Sequence, residues 1–331
     1  MTNLEARPQE NVCAAGPRGG DVELIEPRAV PLGGPRAMTV RRTLPSKQRS
    51  LVGPFCFLDH YGPDDLAVSG GMDVPPHPHV GLQTVTWLFQ GRVLHRDSIG
   101  STQAIAPGQL NLMTAGHGIS HSEEGSLALF PGQRELGGIQ LWTALPEAHR
   151  RTAPTFEHVA RVPSMVLDGA VVQVFLGELA GVSSPARAYW PLVAAQLDLP
   201  AGAVVRVPVQ AGFEYGILLD AGELAVAGRP VQPGWLAYLA PGADELVLEA
   251  GDRPARAVLL GGEPFDERVL MWWNFVGRTH EEIVEARAQW QAAIADDASE
   301  GRRRFGAVAG YDGAPLPAPE LPNVRLLPRA R

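Results

Sequence analysis

Pro75-Pro76-His77-Pro78-His79 and, forty residues on, Gly116-His117-Gly118-Ile119-Ser120-His121-Ser122-Glu123-Glu124 carry the chemistry of this chain. Of nine histidines, six (His60, His77, His79, His95, His117 and His121) fall between residues 60 and 121, and none lies between His158 and His280. Each proline biases the residue before it toward an extended backbone. In an extended chain, side chains two apart share a face, so His77 and His79 point the same way, as do His121 and Glu123 on a second strand. Two such pairs on facing strands gather three imidazoles and a carboxylate around one point. An isolated His-x-His pair is weak evidence, but two ligand pairs on strand-like segments indicate a divalent-metal site. The set is that of the two-histidine, one-carboxylate iron oxygenases with one more imidazole.

Around that stretch the chain has the texture of an all-β protein. With 331 residues it is long for a single core and divides into two domains. Short strand-like runs recur, among them Phe55-Cys56-Phe57-Leu58, Thr84-Val85-Thr86-Trp87-Leu88-Phe89 and Gly138-Ile139-Gln140-Leu141-Trp142, separated by Gly/Pro turns. Phe55, Trp87, Leu112 and Met113 are read first as core and second as walls of an apolar pocket. Residues 155 to 262 repeat the texture without a metal-ligand cluster. Ala106-Pro107-Gly108 and Gln232-Pro233-Gly234 look like equivalent turns, which suggests an internal duplication.

A single clear helix comes late. Thr279 and Glu282 form a capping box, and Ile283, Ala286, Trp290 and Ala293 follow at helical spacing, predicting a helix over 279–298 that Gly301 ends. Arg302-Arg303-Arg304 reads as a solvated helix end. The expected organisation is a disordered leader (1–21), a metal-binding unit (22–150), a metal-free unit with the terminal helix (151–305) and a Pro-rich tail (306–331).

Composition excludes several classes. A net charge of −8 argues against direct nucleic-acid binding, which needs cationic neutralisation of phosphates. No apolar run is long enough to span a membrane, and the polar start of the chain reads as no signal peptide. Cys13 and Cys56 form no disulfide framework, which fits a reducing, cytoplasmic setting.

His77 through Thr86, then His95-Arg96-Asp97-Ser98-Ile99-Gly100, then Met113 through Glu123 resemble the pirin family of the cupin superfamily, as do Gly262-Glu263-Pro264-Phe265, Trp273-Asn274-Phe275-Val276 and Arg304-Phe305-Gly306. The similarity spans about residues 22 to 306. It implies two cupin jelly-roll barrels packed face to face, with a C-terminal helix and one Fe(2+), or another divalent metal, in the N-terminal barrel. The positions matching the family's ligands are His77, His79, His121 and Glu123. Two roles follow from the resemblance. One is a quercetin 2,3-dioxygenase that cleaves a flavonol-like aromatic with O₂, Glu123 taking the substrate proton. The alternative is an iron-dependent redox regulator that binds a protein partner, a transcription factor or a metabolic enzyme, without turnover; a cupin whose metal is purely structural stands third. A monomer is expected.

Two positions depart from the pattern: Gln83 stands where many members carry Glu, and His117 where many carry Arg. His117 is read as a rim residue. His95 is read as a hydrogen-bonding support for the ligands, or as strand packing, and Glu124 as pointing away from Glu123.

Overall fold

The computed structural model describes residues 22–32 and 38–328. The expected leader, with Cys13, lies outside these residues. Strands dominate, as the alternation of apolar runs and Gly/Pro turns predicts, and they form two similar halves.

In the first half, seven strands line up in the order Thr155–Val159, Leu110–Thr114, Leu82–Gln90, Glu135–Ala144, Phe55–Asp65, Met38–Leu44, Arg28–Leu32. A four-stranded sheet faces them, ordered Gly71–His79, Ile119–Ser126, Val93–Asp97, Thr102–Ile105. The second half repeats the plan. Its larger sheet runs Glu23–Ile25, Leu236–Leu239, Glu214–Ala221, Ala255–Gly262, Leu192–Leu199, Ala170–Leu179, Ser164–Leu167, and its smaller one Val204–Pro208, Glu245–Ala250, Leu224–Val226, Arg229–Val231. The sheets of each half stay open rather than closing into a barrel.

The two Pro-Gly turns sit at matching places. Each leads from the edge strand of a small sheet, Thr102–Ile105 or Arg229–Val231, into a strand of a large one, Leu110–Thr114 or Leu236–Leu239. The counterpart of the His77 strand is then Val204–Pro208, where Val205 lies opposite Leu248 and Val207 opposite Leu246. All four are buried in the core of the second half. Where the first half places imidazoles, the second places aliphatic side chains.

The large sheets pack face to face. Phe55, Leu58, Val85, Trp87, Leu112 and Ile139 of the first half share one core with Phe175, Leu192, Ala194, Leu218 and Leu260 of the second. Trp87 stacks on Phe175 at 4.5 Å between ring centroids and donates its indole N–H to Gln196 Oε1 at 2.8 Å. Phe55, Trp87 and Leu112 therefore fill the seam between halves. Each such side chain contributes on the order of 1.5–3 kcal/mol by leaving water, which makes the seam a core rather than a loose domain contact.

Strands are also exchanged across the expected division at residue 150. Glu23–Ile25 pairs with Leu236–Leu239 in the second half, and Thr155–Val159 pairs with Leu110–Thr114 in the first. The helix runs His280–Ala295, capped by the Thr279 hydroxyl accepting from the Glu282 N–H, and is three residues shorter than the predicted 298 end. A second helix, Glu300–Phe305, follows, so Gly301 does not end helical structure. Gly301 is buried where the second helix crosses the first, and a Cβ there would collide with the Gln289 carbonyl. Small size is what that crossing needs. The tail is docked: Leu316 N–H donates to Pro76 O at 2.9 Å, and Trp290 Nε1–H donates to Leu316 O at 2.8 Å.

Candidate metal centre

The small sheet of the first half builds the site. His121 lies opposite His77 and Ile119 opposite His79 in the antiparallel pair, so period-2 alternation brings three imidazoles to one face. Toward Glu123 the register with the His77 strand slips, Glu123 lying opposite Val74. The additional residue falls in Pro75-Pro76, whose missing N–H groups cannot continue a ladder. The bulge leaves two carbonyls for other partners: Pro75 O accepts from His77 Nδ1 at 2.8 Å, and Pro76 O accepts from the tail. On its other side the Glu123 strand keeps register with Val93–Asp97, placing His95 opposite Glu123 and Asp97 opposite His121.

His77, His79 and His121 each bring a ring nitrogen within 4.8 Å of the others, and all three rings are 0% exposed. Ring centroids are 4.3 Å apart for His77 and His121, and 5.0 Å for the other two pairs. Each Nδ1 has a partner: Pro75 O for His77, Asn274 O at 3.1 Å for His79, and His95 Nδ1 at 3.3 Å for His121. Each Nε2 is buried with no hydrogen-bond partner. Three orphaned acceptors converging in a dry interior would cost several kcal/mol if left so. Burial pushes the His77 pKa down to about 3 and holds those of His79 and His121 well below 6.5, so the rings are neutral at pH 7. Neutral imidazoles with free Nε2 lone pairs are the ligand form for a divalent cation. The three histidines are a metal-binding triad.

Glu123 is on the same strand and 1% exposed, with Thr86 Oγ1 3.3 Å from its Oε1. It does not belong to the group of three nitrogens. Glu124 points outward and pairs with Arg96. His95 is buried against His121, in the supporting position expected of it.

His117 stands apart from the triad. Its side chain is exposed, its backbone N–H donates to Thr152 O at 3.0 Å, and its backbone carbonyl accepts from Arg304 Nε at 2.8 Å. It lines a cleft of about 600 Å³ with Arg150, Glu282 and Gln289. Gln83 is committed structurally: its amide nitrogen donates to Thr114 Oγ1 at 2.9 Å and to Arg187 O at 3.0 Å, and its oxygen accepts from Thr143 at 3.3 Å.

Three contributors escaped the motif reading. Trp142 places its ring edge-on to His79 at 5.0 Å. Asn274 supplies a backbone carbonyl, and Phe156 stacks on His95 at 4.5 Å. Their contacts come from tertiary packing, and only Trp273-Asn274, as part of the resemblance, carried a signal.

The family profile described as pirin matches residues 37–143, and that of the pirin C-terminal cupin domain matches residues 194–295. A Pseudomonas aeruginosa protein provisionally named a quercetin 2,3-dioxygenase is 43% identical over 301 residues, covering 91% of each chain. Rat pirin is 32% identical over 259 residues, covering 75% of this chain and 84% of its own. The crystal structure of a quercetin 2,3-dioxygenase from Acinetobacter baumannii superposes with a TM-score of 0.84 at 39% identity, covering 92% of this chain and 96% of that one. With the triad in one half and an aliphatic core in the other, this chain belongs to the pirin family of two-cupin proteins.

Proposed function

We propose that the protein is an iron-dependent dioxygenase that opens a flavonol-like aromatic with O₂. The observation that carries this reading is the convergence of three buried, partnerless Nε2 atoms on one point. The name quercetin 2,3-dioxygenase on two similar proteins supports it. We infer Fe(2+) as the cellular metal, one per chain, and Glu123 as its fourth protein ligand. Other divalent cations suit the same donor set.

When bound, the iron supplies Lewis acidity toward a substrate hydroxyl and a redox centre for oxygen chemistry. The chain's own part is orientation and proton handling. His77, His79 and His121 present lone pairs whose direction is set by their Nδ1 partners. Glu123, with Thr86 Oγ1 against its Oε1, takes the proton of the substrate hydroxyl onto its carboxylate. Trp142 closes the side of the site next to His79 and keeps water from it.

The test is quercetin loss in air-saturated buffer, followed by absorbance with O₂ uptake, for Fe(II)-loaded and metal-stripped protein. Metal-dependent loss with matching O₂ consumption, abolished in His79→Ala, is the expected result. Confirmed iron binding without flavonol loss overturns the dioxygenase reading and leaves the iron-dependent regulator that binds a protein partner.

A further inference from the structure

The three triad rings differ in what faces their outer nitrogens. His77 and His79 each place Nδ1 on a backbone carbonyl. A carbonyl only accepts, so both rings carry their proton on Nδ1 and present a bare Nε2. His121 is different: its Nδ1 faces His95 Nδ1 at 3.3 Å. Two ring nitrogens in contact share one proton between them, and imidazole by itself does not decide which ring holds it. If His95 held it, His121 would carry its own proton on Nε2, the atom that must bind metal.

Asp97 decides. Its Oδ1 accepts the backbone N–H groups of Ile99 at 3.1 Å and Ser101 at 2.9 Å, which anchor the carboxylate. Its Oδ2 lies 3.1 Å from His95 Nε2. An ionised carboxylate only accepts, so His95 holds its proton on Nε2 and its Nδ1 is bare. That bare nitrogen accepts from His121 Nδ1–H, leaving His121 Nε2 as a free lone pair. Both relay residues are buried, His95 at 3% and Asp97 at 2% exposure. Phe156 holds the His95 ring plane by stacking within 20° of parallel.

We propose that Asp97 and His95 are positioning residues, a carboxylate–imidazole relay that sets the tautomer of His121 and so readies the third nitrogen of the metal site. The proposal rests on His121 being a ligand.

Asp97→Asn tests it with little disturbance. The amide oxygen keeps the Ile99 and Ser101 N–H groups, so the amide nitrogen faces His95 Nε2 and donates to it. His95 then carries its proton on Nδ1, and His121 is driven to the Nε2–H form. In metal-free, ¹⁵N-histidine-labelled protein, NMR is expected to read His95 as Nε2–H and His121 as Nδ1–H, and both reversed in Asp97→Asn. Zn(II) affinity by chelator competition is expected to fall about 10- to 100-fold in that variant. In a His95→Gln background the glutamine oxygen accepts from His121 whatever stands at 97, so Asp97→Asn there should cost less than about threefold in affinity. An unchanged His121 tautomer in Asp97→Asn, or an equal affinity loss in both backgrounds, overturns the relay. Unchanged Zn(II) affinity in His121→Ala overturns instead the ligand assignment beneath it, and the tautomer spectra keep the two failures apart.

Discussion

The imidazole Nδ1 of His79 lies 3.1 Å from the carbonyl oxygen of Asn274, 195 residues further along the chain. Asn274 sits in the turn between strands Leu270–Trp272 and Phe275–Gly277, and that hairpin is clamped to the metal strand by Val276 N–H donating to Val80 O at 3.1 Å. A segment of the second family domain thus orients a ligand of the first.

The turn depends on Trp273, which is 1% exposed and holds a left-handed φ of 52° that a bulky L-residue adopts only under constraint. Packing edge-on against Phe275 at 5.3 Å supplies it. Trp273→Ala is expected to lower stability by about 3–5 kcal/mol and, because the Asn274 carbonyl is released, Zn(II) affinity by about tenfold. Denaturant unfolding and chelator competition measure the two; unchanged affinity would remove the hairpin from the site.

Metal and fold are coupled through the triad. At free metal a thousandfold above the dissociation constant, binding should stabilise the native state by about 4 kcal/mol. The shift in denaturation midpoint on adding Zn(II) reports it, and His77→Ala or His79→Ala should abolish the shift. A full shift in either variant would mean that metal binds elsewhere.

Gln83→Glu tests the departure from the family pattern. Glutamate cannot donate to the Arg187 carbonyl, and its carboxylate would face that oxygen in a fully buried position. A loss of about 2–4 kcal/mol is expected at pH 8. The loss should shrink at pH 5, because burial raises a carboxyl pKa and the protonated group donates again. A loss equal at both values would show that the new carboxyl is as ionised in the folded protein as in the unfolded chain, because it reaches solvent.

His60 predicts acid sensitivity at the seam between halves. Its Nε2 lies 2.7 Å from Asp220 Oδ1, while Arg41 and Arg256 crowd the same group. Burial, with the two guanidinium charges, holds its pKa below 6.5 against the opposing pull of Asp220. As pH falls through 6.5 the unfolded chain takes up a proton that the folded chain refuses, so this group's contribution to stability is lost toward acid. Relative to His60→Gln, the wild type should lose more stability between pH 7 and 5.5 by denaturant titration. Parallel pH curves for the two proteins would exclude the effect.

What residues 75–79 and 116–124 determined by themselves is the choice of metal-binding side chains. Proline-imposed extension and period-2 alternation are local properties, and they turn His77 and His79 to one side of their strand and His121 and Glu123 to one side of theirs, while the pairing of the two strands brings the imidazoles together. The same holds for the cap at Thr279, where donor and acceptor are three residues apart. Tertiary structure decided the rest. Glu123 meets a shifted register because Pro75-Pro76 bulges, and Trp87 stacks on Phe175 across the seam. The proton on each metal-binding ring is set by a carbonyl two residues away for His77, by the neighbouring strand for His121 and by the distant hairpin for His79. Local pattern selects which atoms are offered to a metal, while the direction and protonation of those atoms depend on groups that only long-range packing brings within hydrogen-bond reach.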